Sequence, residues 1–562
     1  MTHISRFRSC LFTLVVLLSG TGAFAQTSTL SMRMPSVSGS FLAGQEAFRD
    51  LRTSDAARYF LDASAAEWEN AAIVERTFTV LAADGRIDDA AAIGQHLLEL
   101  APDNELAHLL LGTVALKERR YSSAITELKG VNDSSFIGIT GTILHAWALV
   151  AKNQYPAAQD LLDQVGRGGL DEFLVFHRAL MADVAGEREA AIGFAGQAYE
   201  SDPYVARIVE AYARMLGNAG RFDDARKVLD SYEEEGLSHP VIDEVHEAVN
   251  RDRRPGKLAG TTQAGAAEMF HGIGAALSRE GSLDVAVVFL RLGLYLDPDS
   301  DVISMALGQL LDTAGQHKMA NEIYERLLGA SPMKVMAGVR IAENISAMGD
   351  RSEAIRRLKN IAAAEPESLD AVSVLGDMYR YDERYNDAID AYTKALAITG
   401  GTRPRDWRFY YVRGIAGERA GKWPAAEADF LKALELNPGH PSVLNYLGYV
   451  WVDKGINLTK ALEMIRDAVN ANPSDGYIVD SLGWAYYKLG RADEAVATLE
   501  QAVQLRPNDP EINDHLGDAY WAAGRKLEAR FQWNIASTLG TRTEVNERAI
   551  LKLANGLDAV TE

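Results

Sequence analysis

The residue groupings that could carry catalysis are few, and each lacks its companions. Ser331-Pro332-Met333-Lys334 has the SxxK spacing in which a lysine activates a serine for acyl transfer, but it falls at a turn between helical segments and no partner motif accompanies it. Gly417 to Lys422 approaches a phosphate-binding loop, yet its glycine spacing is one residue short and Trp423 replaces the hydroxyl residue. The 11 histidines are scattered without metal-ligand spacing, and neither HExxH nor GxSxG occurs. The one cysteine, Cys10, lies close to the N-terminus, so no thiolate set for zinc is available. Carboxylates such as Asp480 and Asp514 recur once per segment, which reads as a binding ladder rather than an acid–base pair. The expectation is a protein that is not an enzyme and needs no cofactor or metal.

The segments that carry these residues keep a fixed period. Pro298, Pro332 and Pro366 are each 34 residues from the next, and Pro404, Pro438, Pro473 and Pro507 follow at steps of 34, 35 and 34. Pro102 and Pro203 lie 101 apart, close to three such steps. Within each period residue types recur: Leu482-Gly483, Tyr486, Ala495, Leu499 and Ala502 in one unit, Leu516-Gly517, Tyr520, Ala529, Trp533 and Ala536 in the next. Leu307-Gly308, Ala320 and Tyr324 and, further on, Leu375-Gly376, Tyr379, Ala388, Tyr392 and Ala395 keep the same offsets.

This pattern resembles the tetratricopeptide repeat and implies an all-α superhelical solenoid of antiparallel helix pairs. Small residues belong where helix axes approach, and large ones fill the gaps between neighbouring units. A turn such as Gly490-Arg491-Ala492-Asp493 separates the two helices, and the proline ends the second. No unit buries its apolar face alone, so stability must come from stacking. The register places units near Ser38, Ala71, Glu105, Ile139, Glu172, Ala206, Ala267, Asp301, Val335, Leu369, Trp407, Pro441, Gly476 and Pro510.

Two irregularities interrupt it. Thr399 to Pro404 adds four residues, and the step from Ala206 to Ala267 is 61, with Arg251, Arg253, Arg254 and Lys257 ahead of a Gly- and Thr-rich stretch. The expected organisation is a leader over 1–25, a disordered stretch over 26–37, a degenerate N-terminal array over 38–250 and a linker or hinge over 251–265. A C-terminal array over 266–542 and a capping helix over 543–562 complete it. Val545, Ala549, Leu553, Leu557 and Val560 are at helical spacing in that last segment.

In tetratricopeptide repeats the second, fifth, ninth and twelfth to thirteenth positions of each first helix line the inner wall. The resemblance therefore implies a partner-binding groove at Asn445, Tyr449, Asp453, Tyr477, Asp480, Trp484, Tyr487, Asp514, Asp518 and Trp521. Rings beside carboxylates and an amide suit an extended peptide, although rings also serve as core. In the N-terminal half the same positions hold Leu106, Leu109, Leu116, Ile143, Trp147, Val150, Phe173, Phe176 and Leu180. A wall that apolar needs a cover: an amphipathic helix of a partner or a second copy, unless the register slips there and these are core residues.

Arg6 and Arg8, the apolar run Leu11 to Leu18 and Ala23-Phe24-Ala25 form an export leader, with cleavage expected after Ala25 and a periplasmic destination. The residues before Cys10 are not a lipobox, so lipidation is not expected, and no stretch is long enough to span a bilayer. A formal charge of −21 argues against nucleic acid as partner.

From Asn445 onward the chain is similar to large periplasmic repeat lipoproteins of the LbcA type, carried by Asp480-Ser481-Leu482-Gly483-Trp484, His515-Leu516-Gly517, Trp521 and Trp533. That resemblance implies an adaptor that brings substrates to a carboxyl-terminal-processing protease, making a periplasmic serine protease a candidate partner. Those relatives carry a lipidated cysteine that this chain lacks. A scaffold for polysaccharide export or cell-wall assembly is the alternative.

Overall fold

The computed structural model describes residues 36–131, 135–165, 171–539 and 543–557. The leader and nearly all of the stretch over 26–37 lie outside them. Among the described residues there are thirty α-helices, two short 3-10 turns and no strand. First helices begin at Ala71, Glu105, Ala206, Asp301, Leu369, Trp407, Pro441, Gly476 and Pro510, where the period puts them; those at Val37, Phe136, Asp171, Thr262 and Lys334 start one to five residues earlier than expected.

Each hairpin forms for local reasons. Polar N-caps hold the first helices: Asp509 Oδ1 accepts from the backbone N–H of Glu511 at 2.9 Å and of Ile512 at 3.2 Å. Gly490, at φ 72°, turns the chain where an L side chain would be strained. Ala495 and Ala502 are fully buried, and a Cβ on Gly483 would run into the Leu499 side chain. The small residues thus set the close approach of the paired helices.

The step of 61 residues contains an unpaired helix, Pro240–Asn250, followed by an extended segment. That segment is tied to the N-terminal array: Arg214 Nη1 donates to the Pro255 carbonyl at 2.6 Å, and the Gly256 N–H donates to Asn218 Oδ1 at 3.1 Å. Helix Thr262–Arg279 starts directly after it, and one apolar core runs from Ala47 to Ile341 across the segment. The added loop reaches back in turn, with the Arg405 guanidinium against Gly236.

The hairpin Thr262–Arg279 and Leu283–Leu296 decides the shape of the molecule. Its first helix lies on Phe136–Ala151 and Asp171–Ala185, its second on Ala71–Asp84 and Glu105–Lys117, all first helices of N-terminal units. It therefore occupies the groove that those units enclose. Gly265 abuts the Trp147 ring and Gly272 the Phe173 ring, with no room for a Cβ at either place. Phe136 and Phe289 meet at 5.9 Å. Polar ties pin the edges: Gln263 Nε2 donates to the Leu116 carbonyl at 3.1 Å, Lys117 Nζ to that of Leu296 at 2.9 Å, and Gln316 Nε2 to that of Asp50 at 2.9 Å. Arg207 bridges Glu210 and Glu268 where the seam ends.

The apolar inner wall is therefore covered by the chain itself. Leu109, Leu116, Ile143, Trp147, Val150, Phe176 and Leu180 are buried, and Leu106 and Phe173 partly so, by a hairpin of the same molecule. This corrects the expectation of an external helix or a second copy at this wall. The register is sound, and these positions do face inward.

Candidate functional site

An inner wall that stays open lies at the other end. First helices Pro441–Asp453, Gly476–Lys488 and Pro510–Ala522 stand side by side, with helix Thr543–Asn555 closing the row. Between them is a concavity of about 300 Å³. Of the ten expected groove residues, Tyr449, Asp453, Trp484, Tyr487, Asp514 and Asp518 line it, and Asn445, Tyr477, Asp480 and Trp521 do not.

Its aromatic side is a stack. Trp484 lies 4.8 Å from the Tyr487 ring at 22° and 4.1 Å from His515 at 19°. The Trp484 indole N–H and the Asn445 side-chain carbonyl are buried without a hydrogen-bond partner. An unsatisfied donor and acceptor of this kind cost roughly 1–3 kcal/mol each until a ligand or water meets them.

The carboxylates are not a free ladder. Asp480 accepts from His515 Nδ1 at 3.0 Å, and both are buried. Asp514, fully buried, accepts from Arg548 Nε at 2.7 Å and Lys552 Nζ at 2.9 Å. Asp518 accepts from Lys552 Nζ at 2.7 Å and from Trp533 Nε1 at 2.9 Å. Among the ten, Asp453 is the exposed acid, 3.7 Å from Lys488. Tyr477 is exposed beneath the Arg506 guanidinium, and Trp521 packs on Trp533 and Gly556.

Electrostatics follow from these pairings. Burial disfavours a charge on His515, but the Asp480 carboxylate outweighs it and holds the pKa above the ordinary imidazole value. Burial also raises Asp518, partly offset by Lys552. The Tyr487 hydroxyl is pushed up to about 12 by burial and then by Asp518 and Asp514. That phenol stays a neutral donor at physiological pH.

Arg548 and Lys552 were missed from sequence because the last helix read only as a cap. They lie 34 residues beyond Asp514 and Asp518, at the fifth and ninth positions of one more first helix. Extending the register by one unit would have found them.

The lining of the concavity includes no serine, threonine or cysteine; of its two lysines, Lys552 is held by two carboxylates and Lys488 lies 3.7 Å from Asp453. The other motifs dissolve as well. Ser331 Oγ donates to Asp301 at 2.7 Å, while Lys334 pairs with Glu365 at 3.1 Å. Gly417 is inside helix Trp407–Arg419, packed on Ala426, rather than in a phosphate-binding loop. Among the described residues no cluster of three or more metal-ligating side chains occurs.

Parts of the chain are similar to known proteins. A tetratricopeptide-repeat model matches residues 76–131, 346–402, 379–441 and 411–476, and a TPR-repeat model matches 483–524. A TPR repeat-containing protein of Pseudomonas aeruginosa is 24% identical over 196 residues, 35% of this chain and 32% of that protein. The Homo sapiens protein O-mannosyl-transferase TMTC1 is 25% identical over 198 residues, 34% of this chain and 22% of that protein. The match thus spans well under two thirds of either relative's length. Among solved structures, the APC/C hetero-tetramer Cut9-Hcn1 is 16% identical with a TM-score of 0.38, covering 83% of this chain and 93% of that one. Yeast Tom70 is 15% identical with a TM-score of 0.36, covering 92% and 95%. Tetratricopeptide repeats are thus matched in stretches of both halves of the chain, whose helix hairpins stack in an all-α solenoid.

Proposed function

We propose that this chain is an exported, non-catalytic adaptor whose C-terminal concavity binds a segment of another protein and presents envelope proteins to a carboxyl-terminal-processing protease. One observation carries the binding reading: the N-terminal inner wall is filled by the chain's own hairpin, whereas the C-terminal one is open, lined by the Trp484–Tyr487–His515 stack with an unsatisfied indole N–H. A peptide backbone supplies apolar contact for the rings and a carbonyl for that N–H. The protease role is supported by the likeness of residues from Asn445 onward to adaptors of that kind, and the periplasmic location by the leader formed by Arg6, Arg8, Leu11–Leu18 and Ala23-Phe24-Ala25. Among the described residues no helix is long and apolar enough to cross a membrane.

Capture from envelope extracts on the tagged full chain, compared with its Trp484→Ala form, tests the reading. The expected result is a PDZ-containing serine protease, or its substrates, held by the parent chain and lost from the variant. Equal recovery by both forms excludes this concavity as the docking site. Recovery of glycosyltransferases or export-pore components instead moves the role to polysaccharide export.

A further inference from the structure

A second cavity, of about 480 Å³, opens where the inserted hairpin meets the N-terminal array, remote in sequence from the C-terminal groove. Arg291, Arg326 and Lys117 line it, against a single carboxylate, Asp84. In a chain with a formal charge of −21, three cations converging on one acid are against the overall trend.

The partners of these groups show what is left over. Asp84 Oδ1 already accepts from Thr53 Oγ1 at 2.8 Å and Ser54 Oγ at 2.7 Å. Lys117 Nζ is held by the Leu296 carbonyl at 2.9 Å. Arg291 lies against Gly85 and donates through Nε to the Ala83 carbonyl at 3.3 Å, capping the C-terminal end of helix Ala71–Asp84. That contact uses one of its five N–H donors. Among the described residues its terminal nitrogens have no acceptor, and the Arg326 side chain has neither a hydrogen bond nor an ion pair.

We propose that this cavity is a binding site for an oxyanion, a carboxylate or a phosphate, clasped between the Arg291 and Arg326 guanidiniums, with any apolar part of the ligand resting on Ile87 and Leu294. Guanidinium forks match the planar or tetrahedral oxygens of such groups, and charge-assisted bonds of this type are the strong ones. Burial first, and the Arg326 charge with it, push the Arg291 pKa down, and Asp84 opposes them only in part. A bound anion adds to that opposition. Because Arg291 comes from the hairpin and Asp84, Gly85 and Lys117 from the array it fills, an occupied site also fastens the seam, and ligand must raise the melting temperature by mass action.

Calorimetric titration of the full chain in chloride buffer with inorganic phosphate, and separately with hexanoate, tests the assignment. The expected result is saturable one-to-one binding of at least one probe, with a matching rise in Tm. Arg326→Ala, at an exposed and unpaired side chain, should fold normally and weaken binding about tenfold or more, the loss of one charge-assisted contact. Arg530→Ala, an exposed cation elsewhere, should leave binding unchanged. Preference for phosphate assigns the site to phosphate esters; preference for hexanoate assigns it to carboxylates with an apolar tail. Absence of binding by both probes, or equal binding by parent chain and Arg326→Ala, overturns the proposal.

Discussion

Two stretches of the solenoid's inner wall, made by the same positions of the same repeat, have opposite fates. The N-terminal wall is lined by leucine, isoleucine, tryptophan and phenylalanine, and the hairpin Thr262–Leu296 fills it. The C-terminal wall carries tyrosine, aspartate and tryptophan and stays open to solvent. Two histidines make the contrast concrete. His177 is fully buried among Phe173, Phe176 and Trp147, both ring nitrogens lack a partner, and burial pushes its pKa down to about 4 despite Glu268 nearby. His515 is nearly as buried but has Asp480, and its pKa is raised. A repeat position thus specifies direction, inward, and its residue type specifies whether the groove becomes core or surface.

Breaking the closed wall should have the largest effect. Trp147→Ala removes a fully buried ring packed on Gly265 and should cost about 4 kcal/mol in denaturant unfolding, because the rigid groove collapses only partly into the space. A loss below about 1 kcal/mol would mean that the hairpin is only loosely held.

On the open wall, the equivalent blow is to its internal ion pairs rather than its rings. Asp514→Ala leaves buried Lys552 with one partner in place of two and should cost about 3 kcal/mol. In a solenoid that loss stays local, so hydrogen exchange should accelerate in helices Pro510–Ala522, Lys526–Thr538 and Thr543–Asn555 while the N-terminal half keeps its protection.

Acid should discriminate the walls next. A histidine whose folded pKa is about 4, against about 6.5 unfolded, takes up its proton more readily when the chain unfolds. Its contribution is therefore intact above pH 6.5 and is lost as pH falls toward 4, by about 3 kcal/mol in all. His177→Leu should flatten that part of the stability profile relative to the parent chain, and an unchanged slope between pH 6.5 and 4 would remove His177 from the account.

The smallest stability effect belongs to Trp484→Ala. Its two stacking contacts on the open wall are together worth about 2 kcal/mol, so unfolding should move less than in the other variants while partner capture fails. A large stability loss with capture intact would reassign the ring to the core.

The sequence by itself determined the repeat. Proline spacing, the Leu-Gly pairs and the buried alanines are local offsets within one hairpin, so the unit boundaries and the inward positions could be read without coordinates. Residues 283–296 even carried a sign of the closed groove: four consecutive apolar residues, Val287, Val288, Phe289 and Leu290, are all buried, as in a helix packed on most of its sides. The Arg548 and Lys552 pairs were legible too, one register step beyond the last unit. Which wall is free could be decided only by the tertiary structure. The contacts that fill the first groove join residues as far apart as Leu116 and Gln263, 147 positions, or Asp50 and Gln316, 266 positions. Such pairs depend on the accumulated curvature of many stacked units, to which each unit adds a small rotation that no local pattern records.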